Sequence, residues 1–358
     1  MKPQKRLLRS IAVLAALAVC AAVAFGFART GTIHAQSPSA IHFSKYTIPS
    51  GSLPWGTAFD SAGNVWVAAP GCDLQPRCAA GAAPGKLDVF SPGKNKWLKS
   101  VSLPRSYGQP IFVAVDRSGL VWFSMPMTNT IGAYNPARNS LSQWSLPTSG
   151  GGPWGITVDK TGIIWVAEHY SNKVASFNPS THRFKEYATS SPNSQPYGIT
   201  VDGNNNRWFT ENVDTVAKIG EITAGGKLLE YRIRNSYVVG LTPHLITVDR
   251  SGNIFWSEGW VSSIGMLKVS AAKPGTNRGV TEYSYPGRGS SHTSGISAGK
   301  DGKIWVTDSI QNVIGYFNGH AFSFTGTPGI HPHDGLNVDS NNRVWYTEEF
   351  SNSLERAN

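Results

Sequence analysis

The sequence predicts an all-β fold, a seven-bladed β-propeller closed by its N-terminal strand and preceded by an export signal. Three observations carry this. One phrase recurs seven times, in its full form Pro-aromatic-Gly-Ile-x-Val-Asp, followed by a Gly-containing turn and a Trp. The anchors Trp66, Trp122, Trp165, Trp208, Trp256, Trp305 and Trp345 are spaced by 40 to 56 residues, the period of propeller blades. No stretch between residues 40 and 358 sustains a helical apolar pattern; each repeat reads as short alternating strands between turn residues. Finally, the two ends complement each other. The last repeat stops at a third strand, 353–356, while residues 41–49 carry a fourth-strand signature with no blade before it. Pairing them would complete the seventh blade and leave no exposed edge.

The third copy shows the elements in order. Residues 155–158 read as strand a, 159–162 as a tight turn, 163–166 as strand b, 172–177 as strand c and 183–187 as strand d. The turn Asp bonds its own backbone and the turn Gly accepts positive φ. The fifth copy carries one extra residue, so Phe255 rather than Trp256 stands in register.

Before the repeats, Lys2, Lys5, Arg6 and Arg9 precede an apolar run from Ile11 to Phe27, and Ala35 offers a cleavage position. Residues 1–35 thus read as a removable signal, with an uncleaved anchor as the alternative. Residues 36–358 read as one propeller domain, exported to the periplasm, cell surface or medium. Cys72 and Cys78 are the only cysteines beyond the signal, and in an oxidising compartment they are expected to pair. The net charge of +10 falls by half without residues 1–35, which hold five basic and no acidic side chains. No Lys/Arg stripe of the kind that binds nucleic acid is present. No long apolar run follows the signal, so no other membrane segment is expected. The domain is expected to be a monomer.

The wording of the repeats resembles the streptogramin B lyase (virginiamycin B lyase) family. Gln195-Pro196-Tyr197-Gly198-Ile199-Thr200 with Trp208-Phe209-Thr210-Glu211 carries the likeness, which extends over all seven repeats. The resemblance implies a seven-bladed lyase that opens a cyclic depsipeptide by Mg²⁺-assisted β-elimination. It gives His333 the part of base and Glu349 that of the second acid. His331 stands where the family has a metal-binding Glu, and Ser294 where it has a second His. Asp334 adds one residue before the Gly of that repeat.

The residues point to the same region independently. Strands a and b are antiparallel, so the residue entering a and the residue leaving b emerge together at one mouth of the channel. The first set runs Trp55, Ile111, Trp154, Tyr197, His244, Ser294 and His333 or Asp334. The second runs Ala69, Met125, Glu168, Glu211, Glu258, Asp308 and Glu348 with Glu349. Blades 1–4 offer mainly aromatic and apolar tips. Blades 5–7 offer His244, His292, His331, His333, Asp334 and carboxylates. An apolar wall facing a polar cluster suits an oriented small-molecule or peptide-like ligand, for which Trp55, Trp154, Tyr197, His244, Ser294 and Asp334 are candidate contacts.

Imidazoles beside acids can move protons near neutral pH. Carboxylates favour Mg²⁺ or Ca²⁺, and the histidines a transition ion; His331 and Glu349 are the candidate ligands. The repeated acids read first as structural groups with hydrogen-bond partners. Two functions fit: a metal-assisted lyase acting on an ester-type or cyclic depsipeptide substrate, and a non-catalytic binding propeller.

Overall fold

A computed structural model describes residues 41–358, apart from 50–52, 73–77, 79–81, 83, 235–236 and 287–289. The segment expected as the signal lies outside the described residues. Seven four-stranded antiparallel sheets account for the fold. Six follow chain order, as in blade 3, with strands Pro153–Val158, Ile164–Glu168, Lys173–Asn178 and Arg183–Ala188. The seventh joins Asn337–Val338, Val344–Glu348 and Ser353–Ala357 to Phe43–Thr47, with Phe43 opposite Ala357 and Thr47 opposite Ser353. Among the described residues, helix is limited to two 3₁₀ turns, Pro126–Thr128 and Val269–Ala271. No helix among them is long and apolar enough to cross a membrane. A disulfide joins Cys72 to Cys78.

The repeated phrase has three physical causes. Asp159 accepts hydrogen bonds from the amides of Thr161 and Ile163 on one oxygen and from Trp165 Nε1, at 2.9 Å, on the other. Asp60, Asp116, Asp202 and Asp339 do the same for Trp66, Trp122, Trp208 and Trp345. The acid thus fixes the a–b turn and satisfies the indole of a buried ring. In blade 5, Phe255 pairs with Thr247 in the anchor position, and the displaced Trp256 donates to Glu258 instead. In blade 6, Gly299 replaces the Asp, and Trp305 Nε1 is left without a partner among the described residues.

The Gly after the aromatic reflects crowding at the centre. A Cβ on Gly155 would lie 2.3 Å from the carbonyl oxygen of Tyr197, and one on Gly335 would lie 2.1 Å from that of Trp55. In the five blades with this Gly the neighbouring first strand leaves no room for a side chain, while Phe112 and Leu245 hold the position in blades 2 and 5. In five of the seven blades a hydroxyl in strand b stitches the blade to the next. Ser124, Thr210, Ser257, Thr307 and Thr347 donate to the carbonyls of Trp154, His244, Ser294, His333 and Trp55. The Thr347 bond joins the last blade to the first. The core lies between the sheets, as where Trp305 and Ile314 of blade 6 meet Val344, Tyr346 and Ala357 of blade 7.

Candidate functional site

Strand b begins one residue before the anchor and alternates sides, so neighbouring residues at its far end face opposite ways. This corrects one expectation. Glu168, Glu211, Glu258, Asp308 and Glu348, placed at the mouth by sequence reasoning, are fully buried within their own blades. Glu258 is held by Ser263 and Trp256, and Asp308 by Tyr285, Ser291 and Gln311. Hydrogen bonds to the next blade's backbone come instead from the hydroxyl residue just before the acid in blades 4 to 7, Thr210, Ser257, Thr307 and Thr347. Burial pushes Glu211 up to about 8, with Glu230 adding repulsion, and Glu168 and Glu348 to about 7.

The mouth belongs to the residue after the acid. In blades 3, 4, 6 and 7 that residue is His169, Asn212, Ser309 or Glu349, and each contacts a residue from the start of a first strand. His169, Asn212 and Ser309 were missed; only the alternation of sides past the acid could have found them.

The residues entering strand a form a closed circuit of rings. Trp55 meets Trp154 at 5.8 Å between centroids, Trp154 meets Tyr197 at 5.4 Å, and Tyr197 meets His244 at 4.1 Å. The circuit returns through His292 and His333 to Trp55, with centroid separations of 4.8, 5.9 and 4.7 Å. All six side chains are buried. Burial drives His292 and His333 down to about 4 and His244 well below its ordinary value, so these imidazoles are neutral at neutral pH.

Blade 7 breaks the pattern. Pro332 pairs with Glu348 as Pro153 pairs with Glu168, which makes His333 the counterpart of Trp154 and Asp334 the added residue. Asp334 reaches across to blade 4, where it accepts a 2.5 Å hydrogen bond from Tyr197 Oη. Burial raises its carboxyl to about 6.

His331 adopts φ +66°, a left-handed conformation unusual for a residue with a side chain. Its amide donates to Asn312 Oδ1 at 2.6 Å, and its carbonyl accepts from the amide of Glu349. Backbone strain held in this way clusters at functional sites.

His331, His333 and Glu349 converge, with one donor atom from each lying within 4.8 Å of the others. His331 Nδ1 lies 2.7 Å from Glu349 Oε2, while Trp55 Nε1 donates to Oε1 at 2.9 Å. His333 Nδ1 is buried with no hydrogen-bond partner among the described residues, 3.7 Å from Asp334 Oδ2. Ligands about 2.1 Å from one ion stand at most about 4.2 Å apart. A small side-chain movement would bring this set onto a divalent ion.

The triad lines a cavity of about 210 Å³ together with Trp55, Trp260, His292, Ile310 and Phe350. Of the six residues expected to contact ligand, only Trp55 faces this cavity. Trp154, Tyr197 and His244 lie in the buried circuit beside it, and Asp334 is bonded to Tyr197 of that circuit. Ser294 stands behind His292, its hydroxyl 3.1 Å from Nδ1. Where the family pattern has a second His in strand a of blade 6, the imidazole comes from His292, two residues earlier.

Residues 93–267 match the model of the virginiamycin B lyase family. A solved streptogramin B lyase shares 23% identity at a TM-score of 0.76, covering 89% of this chain and 97% of that one. Over residues 93–267 the chain is similar to the virginiamycin B lyase family, and its fold as a whole is that of a seven-bladed propeller like the streptogramin B lyase. The virginiamycin B lyase from Staphylococcus aureus superposes at 0.76, with 21% identity over 89% of this chain and 99% of its own. A catalytically inactive His-to-Ala variant of that enzyme, solved with quinupristin, gives 0.75 and 20% over the same shares. No curated protein sequence matches significantly. The family match runs from the last strand of blade 1 to the third strand of blade 5 and does not include blade 7, which carries the triad.

Proposed function

We propose that this lyase-like propeller is a metal-dependent enzyme that breaks a carbon–oxygen bond in an ester-type substrate at the mouth of blades 6 and 7. The convergence of His331, His333 and Glu349 on one point carries the reading. Two imidazoles and one carboxylate favour Zn²⁺ or another transition ion over the Mg²⁺ implied by the resemblance. Such an ion, when bound, polarises a carbonyl and stabilises the charge that develops on it. Trp55 and His331 each hold one oxygen of Glu349 and fix its orientation.

The resemblance gives the proton-accepting part to His333. With that ring drawn into the ligand set, we assign the proton to His292, the other neutral imidazole on the cavity. His292 takes a proton from the carbon next to the carbonyl, the β carbon–oxygen bond breaks, and the freed carboxylate leaves with the bonding pair. No water enters the balance. Export through residues 1–35 and a monomeric state complete the proposal.

Metal content and turnover on a panel of cyclic and linear esters test it together. His333→Ala is expected to lose both, and His292→Ala to keep the ion and lose turnover. If His333→Ala keeps the ion and loses only turnover, His333 is the base. The second reading, a non-catalytic binding propeller, is favoured by the absence of two family residues from their expected positions. Ligand affinity unchanged by EDTA, with no product from any ester, would establish it.

A further inference from the structure

On the face opposite the mouth, where strand b begins, one buried position departs from the repeat. The residue just before the anchor is Val65, Val121, Ile164, Ile254, Ile304 or Val344 in six blades, each almost wholly buried. Each joins the preceding blade's anchor ring in one apolar cluster. In blade 4 the place is taken by Arg207, only 5% exposed. Its guanidinium lies over the Trp165 ring of blade 3, 4.0 Å from the centroid. Nη1 donates to the Asn205 carbonyl at 2.6 Å, but Nε is buried with no hydrogen-bond partner among the described residues. No ion pair among those residues includes Arg207. Burial lowers its pKa, and the attraction of Asp159 and Asp202 only partly offsets this. Both carboxylates are already engaged, each with two backbone amides and an anchor indole. A buried charge without a counter-charge is costly, and an aliphatic side chain fills the same place six times without that cost.

Arg207 lines a cleft of about 390 Å³ between blades 3 and 4. Arg183 and Lys185, both exposed on the outermost strand of blade 3, line it too, with polar groups from Thr161, Asn178 and Thr181. Asp159 is the only acid among the described lining residues, and its oxygens are occupied. We propose that this cleft binds a phosphate group, free or as the ester of a larger molecule, with Arg207 as its inner counter-charge. The planar fork of a guanidinium matches phosphate oxygens. Three cations around one cleft suit a dianion better than a single carboxylate. A cavity of about 150 Å³ accepts benzene, so the cleft has room for a phosphate and part of the organic group it esterifies. The site lies across the ring from His331, His333 and Glu349 and uses none of their chemistry.

The probes are inorganic phosphate and phenyl phosphate, titrated calorimetrically at constant ionic strength into protein stripped of metal with EDTA. Both are expected to bind and to raise the thermal midpoint. Arg207→Ile restores the side chain of the other blades. It should weaken phosphate binding at least about tenfold, while the phosphate-free variant stays at least as stable as wild type. Arg183→Gln, on the exposed rim, should weaken binding about threefold with stability unchanged, and it decides the matter if Arg207→Ile fails to fold. Vesicles of phosphatidic acid in phosphatidylcholine distinguish the two sources of the group. Sedimentation with them, lost in Arg207→Ile, assigns a lipid headgroup; binding of the free probes alone assigns a soluble ester. No binding of any probe to wild type overturns the proposal. Equal phosphate affinity in wild type and Arg207→Ile also overturns it, and a loss of stability in that variant would then make Arg207 a packing residue on Trp165. Where Arg207→Ile does not fold, unchanged affinity in Arg183→Gln overturns it.

Discussion

Blades 3 and 7 share one frame and carry different chemistry. In both, a Pro opposite a buried acid starts the sheet, an Asp holds the anchor indole, and a Gly lets the next blade approach. Within that frame Trp154 becomes His333 and His169 becomes Glu349, and Asp334 is added. Every change falls where the frame makes no demand. The neighbours Glu348 and Glu349 make the point most sharply, since one faces its own blade and the other meets His331 and Trp55. Position along the strand, and not residue type, decides which acid can act.

The largest expected effect comes from removing the acid that blade 3 lacks. Glu349→Gln should weaken Zn²⁺ binding by at least about 100-fold, since supporting groups alone often contribute 10- to 100-fold. Glu348→Gln should leave that affinity within about threefold. Competition with a chromophoric chelator measures both. If the two variants lose affinity equally, the distinction between frame and mouth is wrong.

The frame should respond through stability. Asp159→Ala removes an acceptor from two amides and an indole, and is expected to cost about 2–3 kcal/mol. Ser309→Ala, at the mouth, should cost about 1 kcal/mol or less. Urea denaturation compares them, and a larger loss for Ser309→Ala would reverse the assignment.

Most of the frame was legible because a repeated physical demand leaves a repeated word. The Asp-to-Trp spacing of six residues and the central Gly each recur in five blades because those blades cap the same turn or admit the same close approach. The site was legible only in part. His331, His333 and Glu349 stood out by departing from the repeat. The acids before Glu349 were placed at the mouth because two adjacent residues share a sequence position but not a direction. Trp260 and Phe350 sit in turns of varied wording, and only the fold places them on one cavity. His292 was noted as one of several polar residues, and its replacement of a missing imidazole depends on side-chain reach.

A subtler difference lies in pH dependence. Glu211 belongs to the frame, and burial lifts its folded value to about 8, well above the ordinary carboxyl. The folded state then holds a proton that the unfolded state releases near pH 4.5. This contribution to stability is complete below that pH and is lost as pH rises through about 8. Glu211→Gln should therefore flatten the decline in urea stability between pH 6 and 9 by about 1–2 kcal/mol, without altering Zn²⁺ affinity at pH 7. An unchanged slope would mean that Glu211 ionises freely in the folded state.

The smallest effect probes how blade 1 serves blade 7. Trp55 donates to one oxygen of Glu349 and packs its ring on His333, so it touches two members of the triad without being one. Its counterpart Trp154 has the same place in blade 3 and meets no such acid. Trp55→Phe keeps an aromatic ring in the circuit and removes only the N–H. Zn²⁺ affinity should then fall about tenfold, the lower range for a supporting hydrogen bond, while the urea midpoint moves little. Trp154→Phe should change neither. A stability loss in Trp55→Phe with unchanged metal affinity would make Trp55 a packing residue like Trp154. Blade 7 would then orient its carboxylate through His331 alone.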